Sequence, residues 1–283
     1  MKNQNDIESR RLEKRLNERF VKAMATYHLI EDDDRILVGL SGGKDSLLLL
    51  QLLAKRAKIL NPRFSVEALH VRMENIHYET DTSYLHSFCD TLGIPLHVRT
   101  TSFEVESVET VEPVEPVESV EPVEPVEPVE YTAVPQQSPA TARLRKQKQP
   151  CFLCSWMRRK EMFNLAQELG CNKIALGHHQ DDILHTALMN LTFQGRFGTM
   201  PARLKMRKLP LTIIRPLCMI EEKDIKSYAA LQGYQKQQKL CPYETDSHRS
   251  DIRRLYEDIE RMNPEARYSI WGALAADNKL IEE

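Results

Sequence analysis

The residues best suited to chemistry form a short loop, Ser41-Gly-Gly-Lys-Asp-Ser46. Its glycines, Gly42 and Gly43, allow left-handed backbone and a close approach of a phosphate group. Lys44 can neutralise phosphate charge, and the two serine hydroxyls can donate hydrogen bonds to phosphate oxygens. Asp45 would repel a phosphate unless a cation bridges the two groups, so we assign it to Mg²⁺. The loop is therefore predicted to bind the phosphates of a nucleotide.

A second motif, Gly177-His-His-Gln-Asp-Asp182, ends in two adjacent carboxylates. At the carboxyl end of a strand, such a pair can orient Mg²⁺ or polarise a substrate. Either aspartate can instead cap the helix that follows, and we predict that one caps while the other acts. His178 and His179 are candidate ligands, although a hydrogen-bonded structural histidine has the same sequence pattern.

Three of the six cysteines are candidate metal ligands. Cys151 and Cys154 form a Cys-x-x-Cys pair at the predicted start of a helix, a spacing shared by redox and zinc sites. Cys241 stands alone in a predicted loop. Three cysteines without a second pair suit an iron–sulfur cluster with one open iron. The other three are predicted to be buried apolar side chains: Cys89, Cys171 and Cys218.

The elements that must position these residues alternate between helices and strands. An amphipathic helix is predicted from about Ile7 to Leu29, and the apolar strand Arg35–Leu40 leads into the glycine loop. Further helices are predicted over 46–59, 80–92, 181–191, 221–232, 249–261 and 264–276, strands over 64–71, 95–101 and 172–177, and a hairpin arm over 204–206 and 211–216. The alternation predicts an α/β fold with a doubly wound parallel sheet covered on both faces. In such sheets, ligands bind beyond the carboxyl ends of the strands, where the strand order reverses.

A tandem Val-Glu-Pro repeat separates the third strand from Cys151. Proline at every third residue excludes a helix or a central strand and favours a solvated polyproline-II-like segment. The segment cannot bury enough apolar surface to order itself. We expect a neutral expansion of a tolerant loop, with an acidic regulatory segment that competes with RNA as the alternative.

The charge of the chain is uneven. The formal net charge is -2, but residues 104–130 hold ten glutamates and neither Lys nor Arg, which leaves 39 basic against 31 acidic side chains elsewhere. This basic balance favours a polyanionic partner. No apolar run is long enough to span a membrane, and the first residues contain no secretory signal, so we expect a cytoplasmic protein.

The glycine loop resembles the PP-loop of the adenine nucleotide alpha-hydrolase-like (HUP) superfamily, whose members cleave ATP between the α and β phosphates. Further motifs make the resemblance specific to the tRNA 2-thiocytidine synthetase family: Cys-Phe-Leu-Cys-Ser-Trp-Met-Arg-Arg, Gly-His-His-Gln-Asp-Asp, Gly-Thr-Met-Pro at Gly198 to Pro201, Arg-Pro-Leu at Arg215 to Leu217, and Cys241. Their order and spacing match over nearly the whole chain apart from the repeat. The chain departs from the family at Glu244, where many members have a cysteine, and at His185-Thr186, where Glu-Thr is common.

The resemblance implies an ATP-dependent tRNA-cytidine 2-sulfurtransferase that adenylates the C2 oxygen of a cytidine and replaces it with sulfur, releasing pyrophosphate and AMP. It implies a 4Fe-4S cluster on the three candidate cysteines, contacts of Gly177 and Asp182 with ATP, and Asp182 and Arg158 as catalytic residues. The cofactors would be ATP, Mg²⁺ and the cluster. The partners would be tRNA and a sulfur donor such as a cysteine desulfurase, with no membrane partner and with a homodimer as an option.

The predicted domains are an N-terminal helix over 1–30, a PP-loop ATPase domain over 31–101 and 150–235, a disordered insert over 102–149, and a C-terminal helical segment over 236–283.

Two other functions remain open at this stage. One is a thiouridine or lysidine synthetase of the same superfamily, although a lysidine synthetase has no use for Cys151 and Cys154. The other is a non-catalytic RNA-binding module with structural zinc, which would have no use for the nucleotide loop.

Overall fold

The structure is a computed structural model that describes residues 2–103, 150–241 and 248–283, so the Val-Glu-Pro repeat and Glu244 lie outside the described residues. None of the helices in these ranges is long and apolar enough to cross a membrane. In chain order the elements are α1 (Lys2–Tyr27), β1 (Asp34–Gly39), α2 (Lys44–Ala57), β2 (Phe64–Met73), β3 (His77–Tyr78), α3 (Ser83–Leu92), β4 (Leu96–Thr101), α4 (Pro150–Glu168), β5 (Lys173–Ala175), α5 (Gln180–Gln194), β6 (Arg203–Lys205), β7 (Thr212–Ile214), α6 (Glu222–Gln232), β8 (Lys239–Leu240), α7 (His248–Met262), α8 (Ala266–Ala276) and β9 (Ile281–Glu282).

The main sheet has the strand order β4-β2-β1-β5-β7-β6-β9, and β1 pairs in parallel with β2 on one side and β5 on the other. Successive residues of β1 point to opposite faces. Ile36 and Val38 therefore join one apolar cluster, while Leu37 joins a second cluster together with α4. Both faces are covered, which confirms the predicted doubly wound α/β fold. The strand order reverses between β1 and β5.

The predicted hairpin over 204–206 and 211–216 is confirmed, but it is not a separate arm, because both of its strands are part of the main sheet. β7 pairs in parallel with β5, with Lys173 opposite Thr212, and β6 pairs antiparallel with β7. β9 then adds to β6 at the far edge. The physical reason is that a two-stranded hairpin is at best marginally stable alone, whereas the edge of β5 offers unpaired backbone groups.

The predicted N-terminal helix is confirmed, and it packs on the core of the sheet. Leu16 and Phe20 of α1 are fully buried in the larger apolar cluster. On its polar side Arg15 pairs with Asp224 at 2.6 Å, so α1 is also attached to α6 by charge. Helix α1 is therefore part of the core that supports the sheet.

A small second sheet lies after the carboxyl end of β2. In it β3 pairs antiparallel with β8, with His77 opposite Leu240. This pairing brings the chain just before Cys241 next to the segment that follows β2, although the two are far apart in sequence. Sequence analysis did not predict this sheet, because two-residue strands carry no periodicity.

We expect the substitution Phe20→Ala to destabilise the whole protein. Removal of a fully buried phenylalanine costs about 3–5 kcal/mol of unfolding free energy. Lys22→Ala, at an exposed position on the same helix, should change stability by no more than about 0.5 kcal/mol. Urea unfolding measures both variants. A loss below about 1 kcal/mol for Phe20→Ala would show that α1 contributes little to the core.

Candidate active site

The glycine loop connects β1 to α2 and is closed by its own hydroxyl groups. The Ser46 hydroxyl donates to the Gly43 carbonyl at 2.9 Å, and the Gly43 N–H donates to the Ser41 hydroxyl at 3.3 Å. Gly42 has φ +80°, and a Cβ there would lie 2.5 Å from the Cβ of Gln237. No side chain caps α2. Its first backbone N–H groups and the positive end of its dipole therefore remain available to an anion.

Lys44 lies at the first position of α2 between two carboxylates. Its Nζ is 3.0 Å from an oxygen of Asp45 and 3.1 Å from Oε1 of Glu222, on α6. Burial alone would lower the pKa of Lys44, but the two carboxylates outweigh it and raise this pKa above its ordinary value. The side chain is therefore a stable cation. The phosphates of a nucleotide bound at this loop would compete with the two carboxylates for the Lys44 ammonium.

Gly177 follows β5 and packs against the first turn of α2. A Cβ on Gly177 would lie 3.1 Å from the backbone carbon of Asp45 and from the backbone nitrogen of Ser46. A larger residue would force the two loops apart. The second motif is thus in contact with the first, as expected for loops that follow adjacent strands at a switch point.

The two aspartates of the second motif have different surroundings. Asp182 forms a capping box with His179: its carboxylate accepts from the His179 N–H at 3.1 Å, and the His179 ring accepts from the Asp182 N–H. Asp182 also lines a cleft beside the glycine loop. The N-cap of α5 is therefore His179 rather than either aspartate, and Asp182, which sequence analysis predicted to be catalytic, completes the capping box from the third position of the helix.

Asp181 is held by contacts with two other helices, α6 and α8. Its Oδ1 lies 2.8 Å from Nη2 of Arg267 on α8, and its Oδ2 accepts from the Glu222 N–H at 2.7 Å. Burial would raise the pKa of Asp181, but the Arg267 guanidinium outweighs this effect and lowers it. Asp181 is thus a buried anion that joins α5 to α6 and α8. Nothing in the sequence pattern around Arg267 indicated this role.

The cleft between the two motifs has a volume of about 300 Å³. Its polar lining includes Ser41, Asp45, Ser46 and Asp182, and its apolar lining includes Leu69, Val71, Met162 and Leu176. Such a cleft can accommodate both the flat aromatic base and the charged phosphates of a nucleotide.

His178 is held in one tautomer inside this cleft. Nε of Arg215 donates to Nδ1 of His178 at 3.2 Å, so Nδ1 accepts and the proton of the neutral ring is on Nε2. Burial, reinforced by the charge of Arg215, lowers the pKa of His178 to about 4. Burial likewise lowers the pKa of Arg215 to about 10, so it stays charged at neutral pH. His178 can therefore act as a neutral hydrogen-bond donor.

Two buried nitrogens beside the cleft lack a hydrogen-bond partner among the described residues: Nε2 of His70 and Nε of Arg158. Nδ1 of His70 contacts the Leu40 carbonyl at 2.8 Å and must donate to it, so Nε2 is an acceptor. Arg158 lines the cleft and donates from Nη2 to the Tyr78 hydroxyl at 3.1 Å. An unpaired buried donor is costly, which indicates that a ligand or a water molecule completes it.

The candidate cysteine ligands lie on one side of the molecule, past the carboxyl end of β2. Cys154 and Cys241 pack against the same apolar cluster, formed by Met73, Ile76 and Phe103. Cys151 lies one helical turn before Cys154 on α4 and is exposed. Within the described parts of the chain, no three His, Cys, Asp or Glu side chains are grouped closely enough to hold a metal ion.

The remaining cysteines are buried, as predicted: Cys89, Cys171 and Cys218. Burial raises the pKa of Cys89 to about 11 and that of Cys218 to about 12. It raises the pKa of Cys171 as well. These thiols therefore stay protonated at neutral pH, and a protonated thiol is a poor metal ligand.

Comparisons with known proteins give consistent results. The family described as PP-loop domain matches residues 9–116. The tRNA-cytidine(32) 2-sulfurtransferase of Bordetella avium is 31% identical over 95% of this chain and 74% of its own length. The protein of the same name from Pseudomonas syringae pv. syringae is 29% identical over 95% of this chain and 85% of its own length.

Among solved structures, the U34-tRNA thiolase NcsA from Methanococcus maripaludis, determined with its 4Fe-4S cluster, resembles this chain with a TM-score of 0.63. The match covers 93% of this chain and 77% of the thiolase, and the sequences are 23% identical. The two proteins share a fold.

The low pKa of His178 leads to a prediction about stability and pH. The unfolded chain binds a proton at His178 below about pH 6.5, whereas the folded chain does so only below about 4. Folding stability should therefore fall as the pH is lowered through this window. Between pH 7 and pH 5 the wild type should lose about 2 kcal/mol more than His178→Gln. Urea unfolding at both pH values measures the difference, and equal losses would contradict the neutral state of the half-buried His178.

Proposed function

The chain belongs to the tRNA-cytidine(32) 2-sulfurtransferase family, and on this basis we propose that it uses ATP to replace the C2 oxygen of a cytidine in tRNA with sulfur. One observation carries the proposal. The PP-loop and the Gly177–Asp182 motif meet in a single cleft, and α4, which carries Cys151 and Cys154, forms another wall of that cleft. The substrate we propose is cytidine 32, the one named for the relatives.

The PP-loop residues bind and orient the nucleotide. The first amides of α2 and the Lys44 ammonium receive the phosphates. The Ser41 hydroxyl donates to the Ser46 hydroxyl at 3.2 Å in this structure, and both hydroxyls would turn toward the phosphate oxygens. Asp45 and Asp182 both lie within 4.0 Å of Nε2 of His179. Two neighbouring carboxylates with phosphate oxygens are the usual protein environment of Mg²⁺, so we assign the ion to this pair.

The reaction proceeds in two displacements. The C2 oxygen of the cytidine attacks the α phosphorus and pyrophosphate leaves; a sulfur nucleophile then attacks C2, and AMP leaves with the former C2 oxygen. The residues of this chain stabilise the charge that develops on oxygen. The Nε–H of Arg158 at the cleft has no hydrogen-bond partner among the described residues, and His178 can donate its Nε2 proton without carrying charge. Donors already in place at a developing charge are the main source of such stabilisation.

The three cysteines fit an iron–sulfur cluster by the chemistry of their donor atoms. Cys154 and Cys241 share one apolar cluster, and Cys151 lies one turn from Cys154. Thiolates are the usual ligands of such clusters, and an apolar surrounding limits their access to water. When bound, the cluster would offer one iron without a protein ligand for a sulfur atom. The sulfur donor we propose is a cysteine desulfurase or a protein of similar chemistry, and cytoplasmic localisation stays a prediction.

The first test concerns Lys44. Lys44→Ala should abolish tRNA-dependent pyrophosphate release while leaving the iron content unchanged, since Lys44 contacts phosphate rather than sulfur ligands. Lys55→Ala, an exposed lysine of the same helix, is the matched control and should keep the wild-type rate. Pyrophosphate is measured by a coupled enzyme assay. A wild-type rate in Lys44→Ala would refute the assignment of the PP-loop.

The second test concerns the cysteines. Alanine at Cys151, Cys154 or Cys241 should each remove the iron and all 2-thiocytidine formation, because a cluster that loses one of three thiolates is no longer held. Alanine at Cys171, which is buried against β5, is the control and should retain iron. Iron content and product are measured on protein prepared without oxygen. Full iron and full activity in the Cys241 variant would exclude the three-cysteine site.

A further inference from the structure

Two arginines from different elements meet at one tyrosine just past the carboxyl end of β2. The guanidinium of Arg72, on β2, lies over the ring of Tyr78, on β3, at 4.6 Å from the ring centroid. Nη2 of Arg158, on α4, donates to the Tyr78 hydroxyl at 3.1 Å. These three side chains form a cluster that we call the arginine–tyrosine cluster.

The Tyr78 hydroxyl accepts two hydrogen bonds in this cluster. One comes from Arg158 and the other from the Met73 N–H, at 3.2 Å. A guanidinium and a backbone N–H are donors only, so neither partner can receive the phenolic proton. No other described residue receives it either. The O–H of Tyr78 therefore remains available to a further acceptor.

The two guanidiniums have donors left over as well, because each carries five N–H groups. Nε of Arg158 is buried without a partner among the described residues. The guanidinium of Arg72 forms neither a hydrogen bond nor an ion pair with any of the residues that the structure describes. An unpaired buried donor is costly, so the cluster is incomplete as it stands.

The carboxylate of Asp81 does not complete the cluster. Hydrogen bonds from Ser83 are the main cause of the lowered pKa of Asp81, and the charge of Arg72 contributes less. Both oxygens of Asp81 are bound by Ser83, at 3.0 Å by its N–H and at 2.7 Å by its hydroxyl. Within the described ranges, no carboxylate pairs with Arg72 or Arg158.

The chemistry of the cluster identifies its ligand as an anion. Like charges at one site repel each other, and an anion between them removes this repulsion while it accepts the free N–H and O–H groups. Burial lowers the pKa of the neighbouring His70, and the charges of Arg158 and Arg72 lower it further. Both cations are thus close enough to act on one imidazole. The planar N–H groups of arginine fit the oxygens of a phosphate especially well.

The position of the cluster indicates which phosphate it would take. Arg158 lines the nucleotide cleft, and β3 pairs with β8 directly before Cys241. The cluster therefore contacts both the cleft and the segment that leads to the third candidate cysteine. ATP phosphates have their own donors at the PP-loop. A nucleotide of an RNA chain that reacts between the cleft and the cysteines carries a backbone phosphate on each side of its ribose.

We propose that Arg72, Tyr78 and Arg158 bind a backbone phosphate of the RNA substrate next to the nucleotide that reacts. The proposal rests on the proposed function, since it takes an RNA as the substrate. A phosphate contact fixes the position of the strand and reads no base. Arg72 and Tyr78 thereby gain a role in substrate binding, while the cleft selects the base.

An RNA with one uncharged phosphate tests the subsite without any change to the protein. In a tRNA anticodon stem-loop, a methylphosphonate on one side of the target cytidine should raise the Kd of the wild-type holoenzyme about 10-fold, the effect of losing a hydrogen bond to a charged group. Arg72→Gln should raise the Kd for the unmodified loop by a similar factor and lose most of the methylphosphonate effect. Anisotropy of labelled RNA gives each Kd.

Two further variants separate the contact from general electrostatics. Tyr78→Phe keeps the ring beneath Arg72 and removes only the O–H, so it should raise the Kd about 5-fold. Arg63→Gln is the matched control, because it removes the same charge at the opposite end of β2, where Arg63 pairs with Asp33 at 2.5 Å. This control should keep the wild-type Kd and the full methylphosphonate effect.

The outcomes distinguish the subsite from the proposed function. If wild-type protein thiolates tRNA but Arg72→Gln keeps the full methylphosphonate effect, the subsite is wrong and the proposed function stands. If no 2-thiocytidine forms but the methylphosphonate effect still depends on Arg72, the subsite stands and the proposed function is wrong. The Kd for ATP without RNA should be the same in Arg72→Gln as in the wild type. A raised Kd for ATP would assign the cluster to nucleotide phosphates and overturn the proposal.

Discussion

The contact between Gly177 and the first turn of α2 is the constraint on which the site depends. The sheet places β1 beside β5. The strand order reverses between them, so the chain leaves these two strands toward different sides of the sheet. Gly177 lets the loops after these strands touch, since even one additional carbon would lie 3.1 Å from the backbone of Asp45 and Ser46. Because of this contact, Asp45 and Ser46 of α2 and the carboxylate of Asp182 line one cleft. Without it, the two motifs would not share a cleft.

A chain of charged contacts joins this cleft to the C-terminal helices. Arg267 of α8 binds Asp181 at 2.8 Å, Asp181 accepts from the Glu222 N–H at 2.7 Å, and Glu222 binds Lys44 at 3.1 Å. The adjacent aspartates thus divide their tasks, because Asp181 anchors α5 while Asp182 keeps one side toward the cleft. Removing one partner of a buried ion pair leaves an uncompensated charge, so α8 contributes to the geometry of the PP-loop from a distance.

Local chemistry was predictable from the sequence, and long-range pairing was not. The PP-loop could be assigned because Gly42, Lys44 and the two serines act within six residues, and the doubly wound sheet followed from strands alternating with helices. The hairpin of β6 and β7 was predicted, but its place in the main sheet was not, because the partner of β7 is β5, which no local pattern of three residues can specify. The contacts of Lys44 with Glu222 and of Asp181 with Arg267 join residues far apart in the chain, so no motif spacing could reveal them. The tautomer of His178 likewise depends on Arg215, 37 residues later.

The central claim is that the cleft between the PP-loop and the Gly177–Asp182 motif serves the thiolation of a cytidine in tRNA. Mass spectrometry of nucleosides from bulk tRNA tests it most directly, in cells that lack the gene for this chain and in the same cells with the gene restored. The account predicts that 2-thiocytidine disappears in the first sample and returns in the second, while other thionucleosides keep their levels. Unchanged 2-thiocytidine in the deletion strain, or loss of a thiouridine in its place, would contradict the account.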